Sequence, residues 1–407
     1  MQIKSAYQTP RRQYPWEYLR PNPTTIGVLW PCYGSGHVIY GLNCRGYTHR
    51  RLATLTLKPL DKESTFFHST PLVLDASVPL VHSWNVIPVN KNFIVSFEYE
   101  LPRYLGSPTD AQLRIGMRML EASRCKGMLA LSEFAYRHTR RRFERQGFGH
   151  LVEKLSVFRG AVSDPGRPRA DLGTRPPERP SFGEKPLSAV VIGSELFRKG
   201  GMQAIRAFEN LRAAGLNVRL TLIGDFESYS YVWSNHIPDA KEWRARAASH
   251  DWIRFVSSVP NAKVFDELRA HDICLYPSFD ESLGWLTIEA GMLGVPVVGN
   301  RICAYPELIQ HQRSGWLIDL PVDEDGRWAG VTMEGEPHKA ALAEADERVV
   351  GGIEDCIRHV YANPHVLPEW GAEARRSMTE MYGMEQASAK LQRIYDRTLE
   401  RDMAASA

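Results

Sequence analysis

No segment of this 407-residue chain approaches eighteen consecutive apolar residues, so no membrane-spanning helix is expected. Residues 1 to 24 carry Lys4, Arg11, Arg12, Glu17 and Arg20 without an apolar core, so no secretory leader is expected there. The formal net charge is only +3, with 24% charged residues, which points away from a polybasic nucleic-acid binder and from an acidic tail protein. The six cysteines (Cys32, Cys44, Cys125, Cys274, Cys303 and Cys356) form no CxxC pair and no Cys/His cluster at zinc spacing. They read as free thiols in a reducing compartment, and the expected location is cytoplasmic. No internal repeat is evident.

What is present is a rhythm of short apolar runs and helical periods, long enough for two domains that each bury a core. Ile26 to Trp30 reads as a buried strand feeding the turn-rich Cys32-Tyr33-Gly34-Ser35-Gly36, with a first helix expected from His37 to Gly41. Strands are expected at Pro71 to Leu74, Leu80 to His82, Phe93 to Phe97, Gly127 to Leu131 and Leu155 to Phe158. A helix is expected over Ala111 to Lys126, and Ser132 should cap a second that runs to about Arg145.

Prolines 165, 168, 176, 177, 180 and 186 then mark a linker, placed at residues 166–185 between domains at 1–165 and 186–383. From Leu187 the alternation resumes (LSAVVIG, GGMQAIRAFENLRAAG, VRLTLIG, WIRFVSS, KVFDELRAH, DICLYPS, WLTIEAGML, VPVVGN, PELIQ, GWLID), as for a parallel sheet covered on both faces. Residues 323 to 347 read as a loop or short insertion, and Met384 to about Arg401 as the last helix.

Chemistry concentrates after the strand DICLYP, because open α/β sheets bind ligands at the carboxyl ends of their strands. Glu281 follows in the loop and Glu289 sits in the next helix, with Gly284 a natural loop-to-helix turn between them. On one unbroken helix the two acids would stand roughly 12 Å apart along the axis. A loop at Gly284 lets them address two parts of one extended ligand. The amides of residues 283 to 286 would face the same mouth, where the helix dipole favours phosphate. Upstream, Arg198 and Lys199 lie in a glycine-flanked turn between strand and helix, where a cation can neutralise phosphate charge. Around Gly34, Ile39 occupies the place of the third glycine of a dinucleotide fingerprint, which weakens an oxidoreductase reading. A histidine alone at a strand end, such as His82, is more often structural than catalytic.

These residues resemble the retaining GT-B glycosyltransferases of the family 4 type, whose mark is Glu-x7-Glu within a PSxxExxGxxxxEAxxxGxPVV phrase. The chain reads Pro277-Ser278-Phe279-Asp280-Glu281-Ser282-Leu283-Gly284, then Glu289-Ala290, Gly294 and Pro296-Val297-Val298. Pro306-Glu307-Leu308-Ile309, Ser314-Gly315-Trp316-Leu317 and Phe197-Arg198-Lys199-Gly200-Gly201 extend the likeness. Two departures stand out: Gly193-Ser194 replaces the usual Gly-Arg pair, and Ser96-Phe97-Glu98-Tyr99-Glu100 lacks the histidine that many relatives place there.

The resemblance implies two Rossmann-like doubly wound α/β domains facing a cleft, with the C-terminal helix (384–407) returning to the first. It implies Lys199, Glu281 and Arg198 at the reacting centre. Glu289, Ser282, Leu283, Gly284, Trp285, Leu286, Gly34 and Gly36 would bind the donor, and Glu98 would stand on the acceptor side. No metal or cofactor is expected. The expected partners are a nucleotide-diphosphate sugar and a saccharide, lipid-linked or other hydroxyl acceptor in glycan, polysaccharide or glycolipid synthesis. The basic run Tyr136 to Arg145 reads first as a solvated helix face and second as a surface for peripheral contact with anionic lipid at the inner membrane. Rival readings on this architecture are a nucleotide-sugar epimerase, a sugar phosphorylase and a non-catalytic nucleotide-sugar binder.

Overall fold

The structure, a computed structural model, describes residues 24–29, 37–38, 44, 47–51, 54–56, 71–104, 108–162, 182, 185–226, 232 and 238–406. The first domain contributes β1 (Thr24–Leu29), β2 (His37–Val38), β3 (Tyr47–Arg51), β4 (Thr54–Thr56), β5 (Pro71–Val73), β6 (Leu80–Trp84), β7 (Phe93–Phe97), α1 (Asp110–Glu121), β8 (Cys125–Ala130), α2 (Glu133–Arg145), β9 (Leu155–Val157) and β10 (Ala161–Val162). Its six-stranded sheet has the order β3-β1-β6-β7-β8-β9, and every pairing in it is parallel. Both β6 and β7 are buried along their whole length, which explains why they read as unbroken apolar runs rather than alternating ones.

The second domain contributes β11 (Leu187–Glu195), α3 (Gly201–Ala213), β12 (Val218–Asp225), α4 (Ala240–Ala248), β13 (Ile253–Val256), α5 (Asn261–Arg269), β14 (Ile273–Leu275), α6 (Trp285–Met292), β15 (Val297–Asn300), α7 (Tyr305–Leu308) and β16 (Gly315–Ile318). Three helices follow, α8 (Gly335–Ala362), α9 (Val366–Tyr382) and α10 (Met384–Ser406). The parallel sheet runs β13-β12-β11-β14-β15-β16, the order of a dinucleotide-type doubly wound sheet with its switch point between β11 and β14. Lys199 follows the first of these strands and Glu281 the second.

Three expectations are corrected. At His37 the chain forms β2, which pairs antiparallel with β10, and not the start of a helix; residues 39–41 lie outside the described ones. The helix expected to reach Lys126 ends at Glu121, because Ala122 turns to extended geometry and Cys125 enters the sheet beside Phe93. The stretch expected as a loop over 323–347 holds the start of α8, whose His338, Leu342, Ala345 and Val349 recur at helical spacing and are buried. The linker expected at 166–185 lies almost wholly outside the described residues. Ser132 does cap α2, its Oγ accepting from the Ala135 amide at 3.0 Å.

The last helix crosses to the first sheet. Tyr395 Oη meets His82 Nδ1 at 2.8 Å, and Tyr47 Oη donates to Asp396 at 2.5 Å. Ser96 Oγ meets the other ring nitrogen of His82 at 2.7 Å, so the fully buried imidazole has both nitrogens bonded and a structural role. Asp325 and Glu307 of the second domain grip α2 of the first. The Asp325 carboxylate pairs with Arg141 at 2.9 Å and Arg145 at 3.0 Å. The Glu307 oxygens accept from the amides of Glu133 and Phe134 at 2.8 and 2.6 Å, which satisfies two donors that the helix itself leaves open. Arg142 pairs with Glu100, so much of the basic face of α2 is engaged inside the molecule. No helix among the described residues is long and apolar enough to cross a membrane.

Tyr395→Phe would strip His82 Nδ1 of its partner in a dry environment. It is expected to cost about 1–3 kcal/mol, visible as a lowered midpoint in thermal unfolding.

Candidate active site

Local backbone geometry sets the two loops of the switch point. Gly200 caps α3 with φ at +81°, and a Cβ added there would stand 2.5 Å from Pro277 Cγ. The turn after β11 therefore lies directly on the end of β14, and only glycine tolerates both the angle and the approach. A Cβ on Gly193 would meet Lys199 Cγ at 2.9 Å, so the departure Gly193-Ser194 keeps the glycine that lets the lysine stem lie across the strand. Gly284 caps α6 with φ at +76°, packed close to the Tyr305 ring. Thr287 donates to Gly284 O at 2.9 Å, so the amides of residues 283 to 286 precede the helix's own ladder.

Between these loops Lys199 is buried, and its Nζ donates to Tyr276 Oη at 2.5 Å and to Glu281 Oε2. Tyr276 Oη in turn donates to the same Glu281 oxygen at 2.9 Å. Tyr305 Oη holds the Tyr276 carbonyl at 2.9 Å, and the Lys199 ammonium lies 4.5 Å from the centre of the Tyr276 ring. Arg198 donates to Asp280 O at 2.6 Å, pairs with Glu195 and stands 3.7 Å from Glu281 Oε2.

Burial works to raise the Glu281 pKa, but Lys199 and Arg198 outweigh it and hold the carboxyl below the usual range. Burial also depresses the Lys199 pKa, and the Glu281 charge opposes this only in part. Tyr276 is pushed well up by burial and by the Glu281 charge, so its phenol stays a proton donor.

A cavity of about 400 Å³ opens beside this cluster, lined by Glu98, Tyr99 and Arg103 of the first domain and Arg198, Asp280, Glu281, Ser282 and Arg327 of the second. The structure thus brings Arg198, Glu281, Ser282 and Glu98 to one space, with Lys199 behind Glu281. Leu283 and Leu286 are buried and Trp285 half-buried. Glu289 is buried in α6 and does not line this cavity; its charge is felt by Cys274 on β14. Gly34 and Gly36 lie outside the described residues.

Sequence reasoning did not single out Tyr276, Tyr99, Arg103 or Arg327. Tyr276 stands within the quoted strand DICLYP, but a tyrosine there reads as core. Tyr99 and Arg103 share the segment after β7 and Arg327 comes from the turn after β16, with no motif to flag them. Among the described residues, no group of His, Cys, Asp and Glu has the arrangement of a metal site.

Residues 188–328 match the family described as glycosyl transferases group 1. The chain is 35% identical over 100 residues to D-inositol 3-phosphate glycosyltransferase 2 of Catenulispora acidiphila, covering 25% of this chain and 23% of that protein. It is 25% identical over 279 residues to the D-inositol 3-phosphate glycosyltransferase of Segniliparus rotundus, 67% of this chain and 55% of that one. The matches thus span about half or less of these curated relatives. Among solved structures, sucrose-phosphate synthase of Thermosynechococcus elongatus superposes with a TM-score of 0.57 at 14% identity, covering 94% of this chain and 100% of that one. HepE of Anabaena, solved with UDP and glucose, gives a TM-score of 0.51 at 13% identity over 79% of this chain and 78% of that chain. These likenesses give the GT-B fold.

Two outcomes follow from the geometry. Gly200→Ala should lower stability by at least about 1–2 kcal/mol in denaturant unfolding, because an L-residue is strained at that angle even before the Pro277 clash. The folded Glu281 pKa is depressed, so its stabilising contribution is complete above the ordinary glutamate range and is lost as pH falls through the folded value. Glu281→Gln should therefore flatten the acid limb of a stability-versus-pH curve, and an unchanged limb would refute the ion-pair assignment.

Proposed function

We propose that this chain, a GT-B glycosyltransferase by its fold and by its group 1 domain, moves a sugar from a nucleotide-diphosphate donor to an acceptor hydroxyl with retention at the anomeric carbon. The observation that carries this reading is the Lys199–Tyr276–Glu281 cluster at the switch point, opening on a cavity walled by both domains. A lysine at the carboxyl ends of the two switch-point strands, one side chain behind the cavity wall, is suited to neutralise charge that grows on a departing diphosphate. Arg198 and the amides before Thr287 add positive potential, so no metal ion is invoked. The ionised Glu281 can accept hydrogen bonds from donor-sugar hydroxyls, and Glu289 is assigned to the nucleotide ribose.

Among the described residues no protein nucleophile is identified for the opposite face of the sugar, which favours same-face substitution over a covalent glycosyl-enzyme. In that step the anomeric carbon–phosphate oxygen bond breaks as the acceptor oxygen bonds the same face. The acceptor proton passes to the departing phosphate. Two likenesses favour a nucleotide sugar in general: HepE was solved with UDP and glucose, and a relative at 26% identity is named a GDP-mannose-dependent mannosyltransferase of Mycolicibacterium smegmatis. An acceptor in glycan, polysaccharide or glycolipid synthesis suits the reading.

Incubation with a panel of UDP- and GDP-sugars, with and without acceptor extracts, tests it. Transfer releases nucleotide and yields an acceptor adduct; epimerisation needs no acceptor, phosphorolysis needs phosphate, and binding without turnover marks a silent protein. Glu281→Gln is expected to lower kcat at least tenfold, about 1.4 kcal/mol of barrier. Lys199→Ala should weaken donor binding and cut turnover on the order of a hundredfold. Unchanged kinetics in folded variants would sink the assignment.

A further inference from the structure

The cavity holds a cation that the leaving-group chemistry does not use. Among the described residues, the Arg327 side chain donates no hydrogen bond, and its Nε is buried without a partner. Its nearest carboxylate, Asp280, stands 3.8 Å away, and the guanidinium lies 5.5 Å from the centre of the Tyr99 ring. An arginine fork carries five donors in fixed geometry and matches the oxygens of a phosphate or carboxylate.

The placement of Arg327 is fixed from several sides. Asp323 Oδ1 accepts from the amides of Asp325 and Arg327, each at 2.9 Å. The Gly326 carbonyl accepts from Cys303 N at 2.7 Å, and Asp325 is tied to α2 through Arg141 and Arg145. The same short turn thus clamps the domains together through Asp325 and presents Arg327 to the cavity two residues later.

Charge accounting points the same way. The other carboxylates of the cavity are already matched: Arg103 donates to Glu98 at 2.9 Å, and Glu281 is held by Lys199 with Arg198 near it. Counting Glu195, which pairs with Arg198, four carboxylates face the four cations, and the loosest of these pairs is Arg327 with Asp280 at 3.8 Å. The most weakly matched cation is thus Arg327, which faces Tyr99 of the first domain.

We infer that Arg327, with Arg103 across the cavity, binds an anionic group, a phosphate ester or a carboxylate, on the acceptor. This rests on the glycosyl-transfer reading for the word acceptor, while the anion site itself stands on the geometry.

The experiment has two arms. In the first, inorganic phosphate is titrated into protein saturated with UDP or GDP, and unfolding temperature is followed. Wild type should be stabilised and Arg327→Gln should not; no stabilisation of wild type, or an equal shift in the variant, overturns the anion site whatever reaction is catalysed. In the second, donor is offered with matched acceptors that differ only in charge: glucose and glucose 6-phosphate, inositol and inositol phosphate, glycerol and glycerate. Vesicles of phosphatidylinositol in phosphatidylcholine separate a lipid headgroup from a free ester. The anionic member of a pair should be preferred by at least about tenfold, and Arg327→Gln should raise its KM by a similar factor, with Arg327→Lys between them. Nucleotide affinity should stay within about twofold of wild type, which certifies the fold. Equal use of neutral partners, or a KM unmoved by Arg327→Gln, overturns the acceptor assignment. Absence of any sugar transfer alongside an Arg327-dependent phosphate effect counts against the glycosyl-transfer reading and leaves the anion site standing.

Discussion

A buried ammonium–carboxylate pair, Lys199 with Glu281, is the constraint around which the second domain is arranged. Removing two charges from water costs several kcal/mol per ion unless each finds its opposite and the remaining donors and acceptors are filled. Tyr276 fills them from one side, bonding both partners with a single hydroxyl. Gly193 and Gly200 make room for the lysine and for the Pro277 ring, and Gly284 lets the chain turn into α6 beside Tyr305. A side chain added at any of these positions would have to displace atoms that hold the pair. The site is therefore built chiefly by backbone approach, which is why glycines mark it.

The domain interface applies the same rule at lower cost. Carboxylates of the second domain are sunk against α2, where the helix start or arginines neutralise them. Burial raises the Glu307 pKa despite the two amides it accepts from, so this contact is sensitive to the loss of either donor. Asp325 is held low, because the helix cations outweigh its burial. Through the turn at 323–327 and through α7, these contacts lead back to the cavity walls. Relative placement of the domains and the shape of the cavity are consequently set together.

The Glu-x7-Glu phrase, the KGG turn and the strand-helix alternation of the second domain were legible because each is local. A glycine beside a proline-ended strand, or an acid one turn into a helix, carries its meaning within a dozen residues. The helix starting at Gly335 is hard to read from sequence although His338, Leu342, Ala345 and Val349 repeat at helical spacing, since Gly335 and Pro337 at its start signal a turn. The overrun of α1 into Cys125 and Lys126 has another cause: pairing of β8 with β7 overrides a helix-favouring local sequence.

By itself the sequence determined the parallel α/β character of the chain, the switch-point loops and the identity of the lysine and glutamates in them. Those properties follow from periodicity and from backbone angles that only certain residues adopt. Tertiary structure alone decided that Lys199 is neutralised directly by Glu281 with Tyr276 bonded to both, that α2 spends its positive charge on Asp325 and Glu100, and that Tyr99, Arg103 and Arg327 meet in one cavity. Such meetings join residues far apart in the chain, 82 positions for Lys199 and Glu281 and 184 for Arg141 and Asp325, and charge pairing at that separation is fixed by where two sheets place their strand ends.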